Sequence, residues 1–274
     1  MESRIALIYF SPTNNTANMA KFIINELGFL EKNLQIDEFN ITNYFERQHK
    51  IDIDQYTALF FGFPIYAWRA PKLVREWLQT LDGKGKKCSV FFTYGGVDPG
   101  ASHSNIKLIL EEQNFQLVST AEFVCKHTYN CGGWKVMENR PNESDFNVAK
   151  EYTKRTNKRF IGKDNGIVQL ENPKISERIL LRLEKDVKKV LKPPSRESED
   201  CSFCRTCEDE CPANAMDSDL GEADPNICIR CYRCFINCPD NALKIEDLYP
   251  IFLLFEKLEK ITVNENKVIS KFFM

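Results

Sequence analysis

Short apolar runs alternate with segments of helical periodicity up to about residue 165 of the chain. Five runs rich in β-branched and aromatic residues predict buried strands, over Arg4–Phe10, Leu34–Phe39, Thr57–Phe63, Lys87–Thr93 and Leu117–Val124. Between them, apolar residues three or four apart predict helices, which begin near Thr16, Pro71, Ile106 and Phe146. Gly28 predicts the end of the first helix. Alternating strands and helices indicate an α/β fold, a doubly wound parallel sheet of five strands with helices on both faces.

A second region begins with a predicted bridging helix over Lys174–Lys192. Apolar residues at helical spacing define the face that we expect to be buried, namely Ile175, Ile179, Leu183, Val187 and Val190. Pro193 and Pro194 end this helix, and a charged linker, Ser195–Asp200, follows. We therefore expect four parts: a domain over 1–165, a bridge and linker over 166–198, a cysteine-rich domain over 199–247, and a tail over 248–274 that is apolar at first.

Eight of the eleven cysteines lie between Cys201 and Cys238. They form two copies of the pattern C-x2-C-x2-C-x3-C-P, and the second copy starts 27 residues after the first. Zinc sites and disulfides are the alternatives, but zinc sites use C-x2-C pairs rather than two full copies with both prolines. In a reducing compartment such crowding indicates metal binding rather than disulfides. The spacing therefore predicts two 4Fe–4S clusters.

Three closely spaced thiolates wrap one face of such a cluster, while the cysteine before proline points at the other cluster. One cluster is thus expected to take Cys201, Cys204, Cys207 and Cys238. The other is expected to take Cys228, Cys231, Cys234 and Cys211. Over about residues 199–247 the sequence resembles the bacterial-type two-cluster ferredoxins, and this resemblance implies a small α+β electron-transfer domain.

A polar turn, Ser11–Thr16, joins the first predicted strand to the first helix. Hydroxyls, amides and the N–H groups of a helix N-terminus together suit a phosphate group. The turn holds no lysine or arginine, which favours a flavin phosphate over a nucleoside triphosphate. The plain alternative is a helix cap that uses Thr13 or Asn15. Neither the P-loop nor the dinucleotide fingerprint occurs in the chain.

Two further loops follow the third and fourth predicted strands. The first, Gly62–Pro71, carries aromatic residues that need a partner surface. The second, Thr93–Gly100, contains paired glycines, which let a backbone approach a flat ligand closely. With the strand order 2-1-3-4-5, these loops meet the Ser11–Thr16 turn at the carboxyl edge of the sheet.

The three loops together resemble the flavodoxin family over about residues 1–165. This resemblance implies FMN as cofactor, with its phosphate held by the first loop, at Ser11, Thr13, Asn14, Asn15 and Thr16. It also implies a ring site bordered by the second loop, at Pro64, Ile65, Tyr66, Ala67 and Trp68. The polar edge of the ring would lie along the third loop, at Thr93, Tyr94, Gly95 and Gly96. The family usually has glycine where Asn14 stands, and asparagine is the next most tolerant residue of left-handed backbone.

Charge and hydropathy argue against two classes of function, nucleic-acid binding and membrane spanning. The formal net charge is −2, so no basic surface indicates nucleic-acid binding, and no apolar run is long enough to span a membrane. The start of the chain lacks the features of a signal peptide, so we expect a cytoplasmic protein. The leading hypothesis is an electron carrier that links FMN, two clusters and redox partner proteins. The alternatives are an FMN-dependent reductase of a small substrate or quinone, and a redox- or oxygen-responsive binding module.

Overall fold

The computed structural model describes residues 4–170, 175–259 and 267–274, apart from the side chains of 255–259. The predicted start of the bridging helix at Lys174 and part of the predicted tail, 260–266, lie outside the described residues, as do residues 1–3. The strands of the larger domain are β1 (Arg4–Tyr9), β2 (Gln35–Asn40), β3 (Ala58–Pro64), β4 (Lys87–Tyr94) and β5 (Gln116–Val124). Its helices are α1 (Asn15–Leu30), α2 (Lys72–Leu78), α3 (Ser102–Glu112) and α4 (Glu143–Phe160).

After the larger domain, the next described element is the bridging helix α5 (Glu177–Val190). The cysteine-rich unit contains β6 (Ser195–Arg196), α6 (Thr206–Asp209), β7 (Met216–Asp217), β8 (Glu222–Ala223), α7 (Arg233–Ile236) and β9 (Leu243–Lys244). Helix α8 (Tyr249–Glu259) and strand β10 (Lys271–Phe273) follow. In the described ranges, no helix has both the length and the apolar character needed to cross a membrane.

The larger sheet has the order β10-β5-β4-β3-β1-β2. Its first five strands in the chain are parallel and follow the order 2-1-3-4-5, which confirms the predicted flavodoxin-like fold. The sixth strand was not predicted: β10 pairs antiparallel with β5, with Phe272 opposite Ala121. Three residues are too few for a strand periodicity to be recognised in the sequence. Helix α1 also continues past its predicted end at Gly28 to Leu30.

Both faces of this sheet are buried, which explains the continuous apolar runs in its strands. Ala6 and Ile8 of β1 point to one face, where α2 and α3 pack, and Ile5 and Leu7 point to the other, where α1 and α4 pack. Gly62 of β3 stands opposite Phe91 of β4. The Phe91 ring fills the space where a Gly62 side chain would be, since a Cβ built there would lie 2.2 Å from the ring.

The cysteine-rich unit is a small α+β fold whose sheet has the order β7-β8-β6-β9. Ser195 and Arg196, expected to lie in the linker, form the inner strand β6 and pair with both β8 and β9. Six non-glycine residues of the unit have left-handed backbone, in three pairs that the sequence repeat relates: Phe203 with Arg230, Arg205 with Tyr232, and Asn214 with Asn241. The repeat is therefore present in the backbone as well as in the cysteines.

The predicted buried face of the bridging helix is partly wrong. Ile179 and Val190, assigned to that face, are about half exposed, whereas Leu180 is buried. The helix is rotated because its carboxylates Glu177 and Glu184 face the larger domain and bind Arg69 there. Charge pairing, which an apolar pattern does not register, thus determines which face of α5 is inward.

We predict that Gly62→Ala lowers the free energy of unfolding by about 1–3 kcal/mol, because the added methyl group overpacks the Phe91 ring. Gly28→Ala is the matched control: nothing lies within 4 Å of its Cβ position, and Gly28 lies inside helix α1. That change is expected to stabilise the protein by about 0.5–1 kcal/mol. Urea unfolding followed by circular dichroism measures both, and equal midpoints for the two variants would contradict the packing argument.

Candidate functional site

The Ser11–Thr16 loop enters helix α1 through a left-handed residue. Asn14 has φ 65°, a conformation that asparagine tolerates, and its side chain makes no capping hydrogen bond. Neither Thr13 nor Asn15 caps the helix: the Thr13 hydroxyl lies 3.4 Å from that of Thr128, and the Asn15 amide donates to the Lys126 carbonyl. The plain helix-cap alternative is therefore not what the structure shows.

Ser11 stabilises this loop through two hydrogen bonds. Its buried hydroxyl accepts a hydrogen bond from the Ala17 N–H at 2.9 Å, and its own N–H donates to the Thr42 hydroxyl at 2.7 Å. Both bonds fix the loop relative to helix α1 and to the segment after β2. Ser11 thus holds the shape of the loop, while Thr13, Asn14 and Asn15 form its outer side.

Thr93, at the end of β4, joins the three candidate loops. Its hydroxyl is 2.7 Å from that of Thr16 in a buried pair, and its carbonyl accepts a hydrogen bond from the Ile65 N–H at 3.0 Å. The loops after β1, β3 and β4 therefore meet at the carboxyl edge of the sheet, where doubly wound proteins bind their ligands.

The loop after β3 contains a tight turn in a strained conformation. Tyr66 and Arg69 exchange backbone hydrogen bonds of 2.8 and 3.3 Å across it. The two residues between them, Ala67 and Trp68, have φ 48° and 68°. Left-handed backbone at two successive non-glycine residues is costly and persists only where the surroundings enforce it. Here the enforcing contacts come from Arg69 and from Gly100, whose Cβ position lies 2.3 Å from the Trp68 Cβ.

The two aromatic residues of this turn lie in different surroundings. Trp68 packs against Gly100 in the loop after β4. Tyr66 instead lies beside the cysteine-rich unit, where burial, followed by the neighbouring Cys231 and Tyr129, raises its pKa well above the usual range. The sequence grouped both residues at one ligand ring, whereas the structure puts Tyr66 at the boundary between the two units.

The paired glycines after β4 make room for protein side chains. A Cβ at Gly95 would lie 2.1 Å from the His127 ring, and one at Gly96, which has φ 78°, would lie 2.4 Å from Met137. Part of the space that the sequence assigned to a flat ligand is thus filled by the 126–140 segment. Within it, His127 stacks on Trp134 at 4.5 Å, and burial lowers the pKa of His127 to about 4. His127 is therefore neutral at pH 7.

The eight motif cysteines form the two predicted groups. Members of the first group line one cavity, namely Cys201, Cys204, Cys207 and Cys238. Members of the second group are close electrostatic neighbours, namely Cys211, Cys228, Cys231 and Cys234. In each group the cysteine that precedes proline accepts a backbone N–H, from Ala215 at 3.2 Å and from Ala242 at 3.3 Å. The exchange of the fourth cysteine between the motifs is thus present in the fold.

The two groups differ in exposure. Cys204 of the first group is exposed, whereas Cys211, Cys228 and Cys231 of the second are buried. Burial raises the pKa of the Cys231 thiol to about 12, so binding of metal there must release a proton. Among the described residues, no three or more His, Cys, Asp or Glu side chains are spaced to hold a single metal ion.

A continuous apolar cluster, which we name the central cluster, joins the two units. It contains Tyr94 and Val124 of the sheet, Trp134, Val136 and Met137 of the 126–140 segment, and Leu191, Tyr232 and Leu248 of the second half. Tyr129 lies 5.7 Å from Tyr232 in an edge-to-face pair, and Phe252 of α8 packs on Trp134 at 4.9 Å. The second cysteine group is thus held against the edge of the sheet that carries the candidate loops.

Three arginines that the sequence analysis did not single out also connect the units. Arg47 donates to the carbonyls of Thr42 and of Pro212, and Arg233 donates to the Pro12 carbonyl at 2.8 Å. Arg69, fully buried, binds Glu184 at 2.8 Å and Glu177 at 2.7 Å. Their partners in the other unit are 108 to 221 residues away in sequence, so a local sequence pattern does not reveal these contacts. For Arg233 alone, the sequence offered a clue: the repeat has an arginine in the second cysteine motif where the first has Thr206.

Comparisons with known proteins found matches to separate parts of the chain. Residues 183–243 match the family model of the 4Fe–4S dicluster domain. A flavodoxin from the domain Archaea is 18% identical, with a TM-score of 0.43, and the match covers 58% of this chain and 99% of that one. Flavodoxin 2 from Bacillus cereus is 16% identical, with a TM-score of 0.42, and 59% and 100% are covered. No curated protein matches the chain.

A larger protein is also similar in part. Rubredoxin oxygen:oxidoreductase from Desulfovibrio gigas is 17% identical, with a TM-score of 0.42, and the match covers 58% of this chain and 36% of that one. The strand order and the dicluster match together define the class: a flavodoxin-like α/β domain joined to a 4Fe–4S ferredoxin-like domain.

We predict that Glu184→Gln releases helix α5 from the larger domain. Its carboxylate binds both Arg69 and Arg75, at 2.8 and 2.5 Å, and its loss leaves two largely buried guanidinium groups short of a partner. The opening free energy of α5 should fall by about 2 kcal/mol or more, so amide exchange there should accelerate roughly 30-fold.

Glu177→Gln is the control for this prediction. The Glu177 side chain is 59% exposed and binds Arg69 alone. In this variant, the rate of amide exchange in α5 should therefore change by less than about threefold. Hydrogen exchange read by mass spectrometry over residues 177–190 measures both variants. Equal acceleration in the two would show that Glu184 is no special anchor.

Proposed function

We propose that the protein is an electron carrier with two 4Fe–4S clusters and one FMN, in which electrons pass between a partner protein and the flavin through the clusters. When bound, FMN supplies the ability to exchange one or two electrons, whereas the clusters exchange single electrons. The observation that carries the proposal is the position of the Cys231–Cys234 segment. It contacts the loop after β1 through Arg233 and lies beside the loop after β3 at Tyr66.

The residues fit these groups. Each four-cysteine set supplies a complete set of cluster ligands: Cys201, Cys204, Cys207 and Cys238 for one, and Cys211, Cys228, Cys231 and Cys234 for the other. The left-handed Asn14 and the hydroxyls of Thr13 and Thr16 suit the FMN phosphate at the N-terminus of α1. The loop 64–68 and the Thr93–Gly96 segment are proposed to border the ring, with His127 and Met137 as neighbours of the paired glycines.

The difference in exposure suggests an order of the clusters. The Cys204 group is near the surface, where a partner protein has access, and the Cys231 group is buried against the larger domain. We propose that the first exchanges electrons with the partner and the second with FMN. None of the eleven cysteines is in a disulfide, which fits the proposed cytoplasmic location.

Cofactor content is the first test. Anaerobically purified protein should contain about eight iron and eight sulfide per chain, and denaturation should release FMN and no FAD. Thr13→Ala should weaken FMN binding roughly tenfold, because a hydrogen bond to a charged acceptor is lost. Thr128→Ala removes only the hydroxyl 3.4 Å from Thr13 and should leave the affinity nearly unchanged. Release of FAD, or stoichiometric zinc without sulfide, would refute the assignment.

The route of the electrons is the second test. Because the central cluster fixes the second cysteine group against the larger domain, transfer between the units should occur within one chain. After rapid mixing with a reductant of the clusters, the rate of flavin reduction should stay constant as the protein is diluted. A rate proportional to protein concentration would mean that electrons travel between molecules. Steady turnover with a small substrate or quinone would instead identify a reductase.

A further inference from the structure

The two cysteine motifs differ at one position that matters for the larger domain. In the first motif Thr206 lies between Cys204 and Cys207, and its hydroxyl is 3.3 Å from the Cys204 sulfur. The matching position of the second motif, between Cys231 and Cys234, is Arg233. The left-handed backbone positions are the same in both copies of the repeat. The two motifs therefore differ here in the side chain, Thr206 or Arg233, and not in the path of the backbone.

Arg233 reaches out of the cysteine-rich unit into the loop after β1. One Nη donates to the Pro12 carbonyl at 2.8 Å, and the other lies 3.1 Å from the Glu210 carboxylate, which also accepts from Asn237 at 2.5 Å. The side chain is 17% exposed. Its buried Nε has no hydrogen-bond partner among the described residues. The same holds for one buried N–H each of Arg69 and Arg75, so the contact that bears on the loop after β1 is the hydrogen bond from Arg233 to the Pro12 carbonyl.

The charge of Arg233 suits its position. The loop Ser11–Thr16 has no cation of its own, although it is the proposed site of a doubly negative phosphate. A cluster with four thiolate ligands also carries net negative charge, and Arg233 lies between two of those ligands in sequence. An arginine stays protonated at any physiological pH, and its planar fork bonds phosphate well.

We propose that Arg233 is a positioning residue for the FMN phosphate, supplied to the loop after β1 by the cluster-binding unit. The inference rests on the proposed function, in which that loop binds FMN. By holding the Pro12 carbonyl and lending its charge, Arg233 makes phosphate recognition depend on the docked cysteine-rich unit. It therefore selects FMN over riboflavin, which has the same ring and no phosphate.

The test compares affinities for FMN and riboflavin in protein that retains its clusters, as checked by iron content. Arg233→Met should weaken FMN roughly tenfold or more and leave riboflavin unchanged. Arg205→Met is the matched control: Arg205 lies in the first motif, is 57% exposed and pairs with Glu208, and its loss should change neither affinity. Quenching of flavin fluorescence gives the dissociation constants. Arg233→Lys, which keeps the charge without the fork, should weaken FMN by a smaller factor.

The outcomes separate this inference from the proposed function. Absence of FMN binding by the unsubstituted protein refutes the proposed function and this inference with it. Normal FMN binding that Arg233→Met leaves unchanged refutes this inference alone, as does equal weakening of FMN and riboflavin, which would indicate a general structural role. If the Arg233→Met protein loses iron, the Arg233→Lys protein provides the test. A severalfold lower affinity for FMN with an unchanged affinity for riboflavin supports the inference. An FMN affinity equal to that of the unsubstituted protein overturns it.

Discussion

The packing of the second cysteine group against the carboxyl edge of the larger sheet determines the arrangement of the rest of the structure. Tyr232, between Cys231 and Cys234, is buried in the central cluster with Trp134 and Met137. A cysteine-rich unit of this size buries too little apolar surface to fold firmly by itself. By sharing one core with the sheet, it gains apolar burial and brings its buried cysteines to the loops after β1 and β3. Stability and the proposed electron route therefore depend on the same contact.

Arginines at the edge of this contact give it a definite orientation. Apolar packing is not directional, so the central cluster alone does not fix how one unit is rotated against the other. Each of three arginines forms a bond that crosses this contact: Arg47 to Pro212, Arg69 to Glu184, and Arg233 to Pro12. A guanidinium taken out of water is stable only if its N–H groups are paired. A rotated arrangement would leave these groups unpaired, so it is strongly disfavoured.

The features that could be predicted from the sequence are those that depend on residues close together in the chain. The five parallel strands follow from apolar runs such as Arg4–Phe10, and the grouping of the eight cysteines follows from the repeat. The left-handed conformation at Asn14 was predictable because few residues tolerate it. Strand β10 and the rotation of α5 were not, since the first is three residues long and the second depends on Arg69, more than 100 residues away. The contact of Tyr66 with the cysteine-rich unit was not predictable either, because a loop pattern does not show which unit packs against the loop.

The segment that carries Cys228, Cys231 and Cys234 of the second cysteine group also anchors the bridging helix α5. Arg230, matched by Phe203 in the first motif, is buried and donates to the carbonyls of Lys188 and Leu191 at the end of α5. Unpaired carbonyls at a helix C-terminus favour such a cation. One short stretch, Arg230–Arg233, thus caps α5 with its first residue, enters the central cluster with Tyr232 and contacts the loop after β1 with its last. Metal binding usually supplies the folding energy of small cysteine-rich units. Under the proposed function, assembly of the second cluster would therefore order all three contacts together. The loops proposed to bind FMN would then depend on iron, even though no cysteine of either group belongs to them.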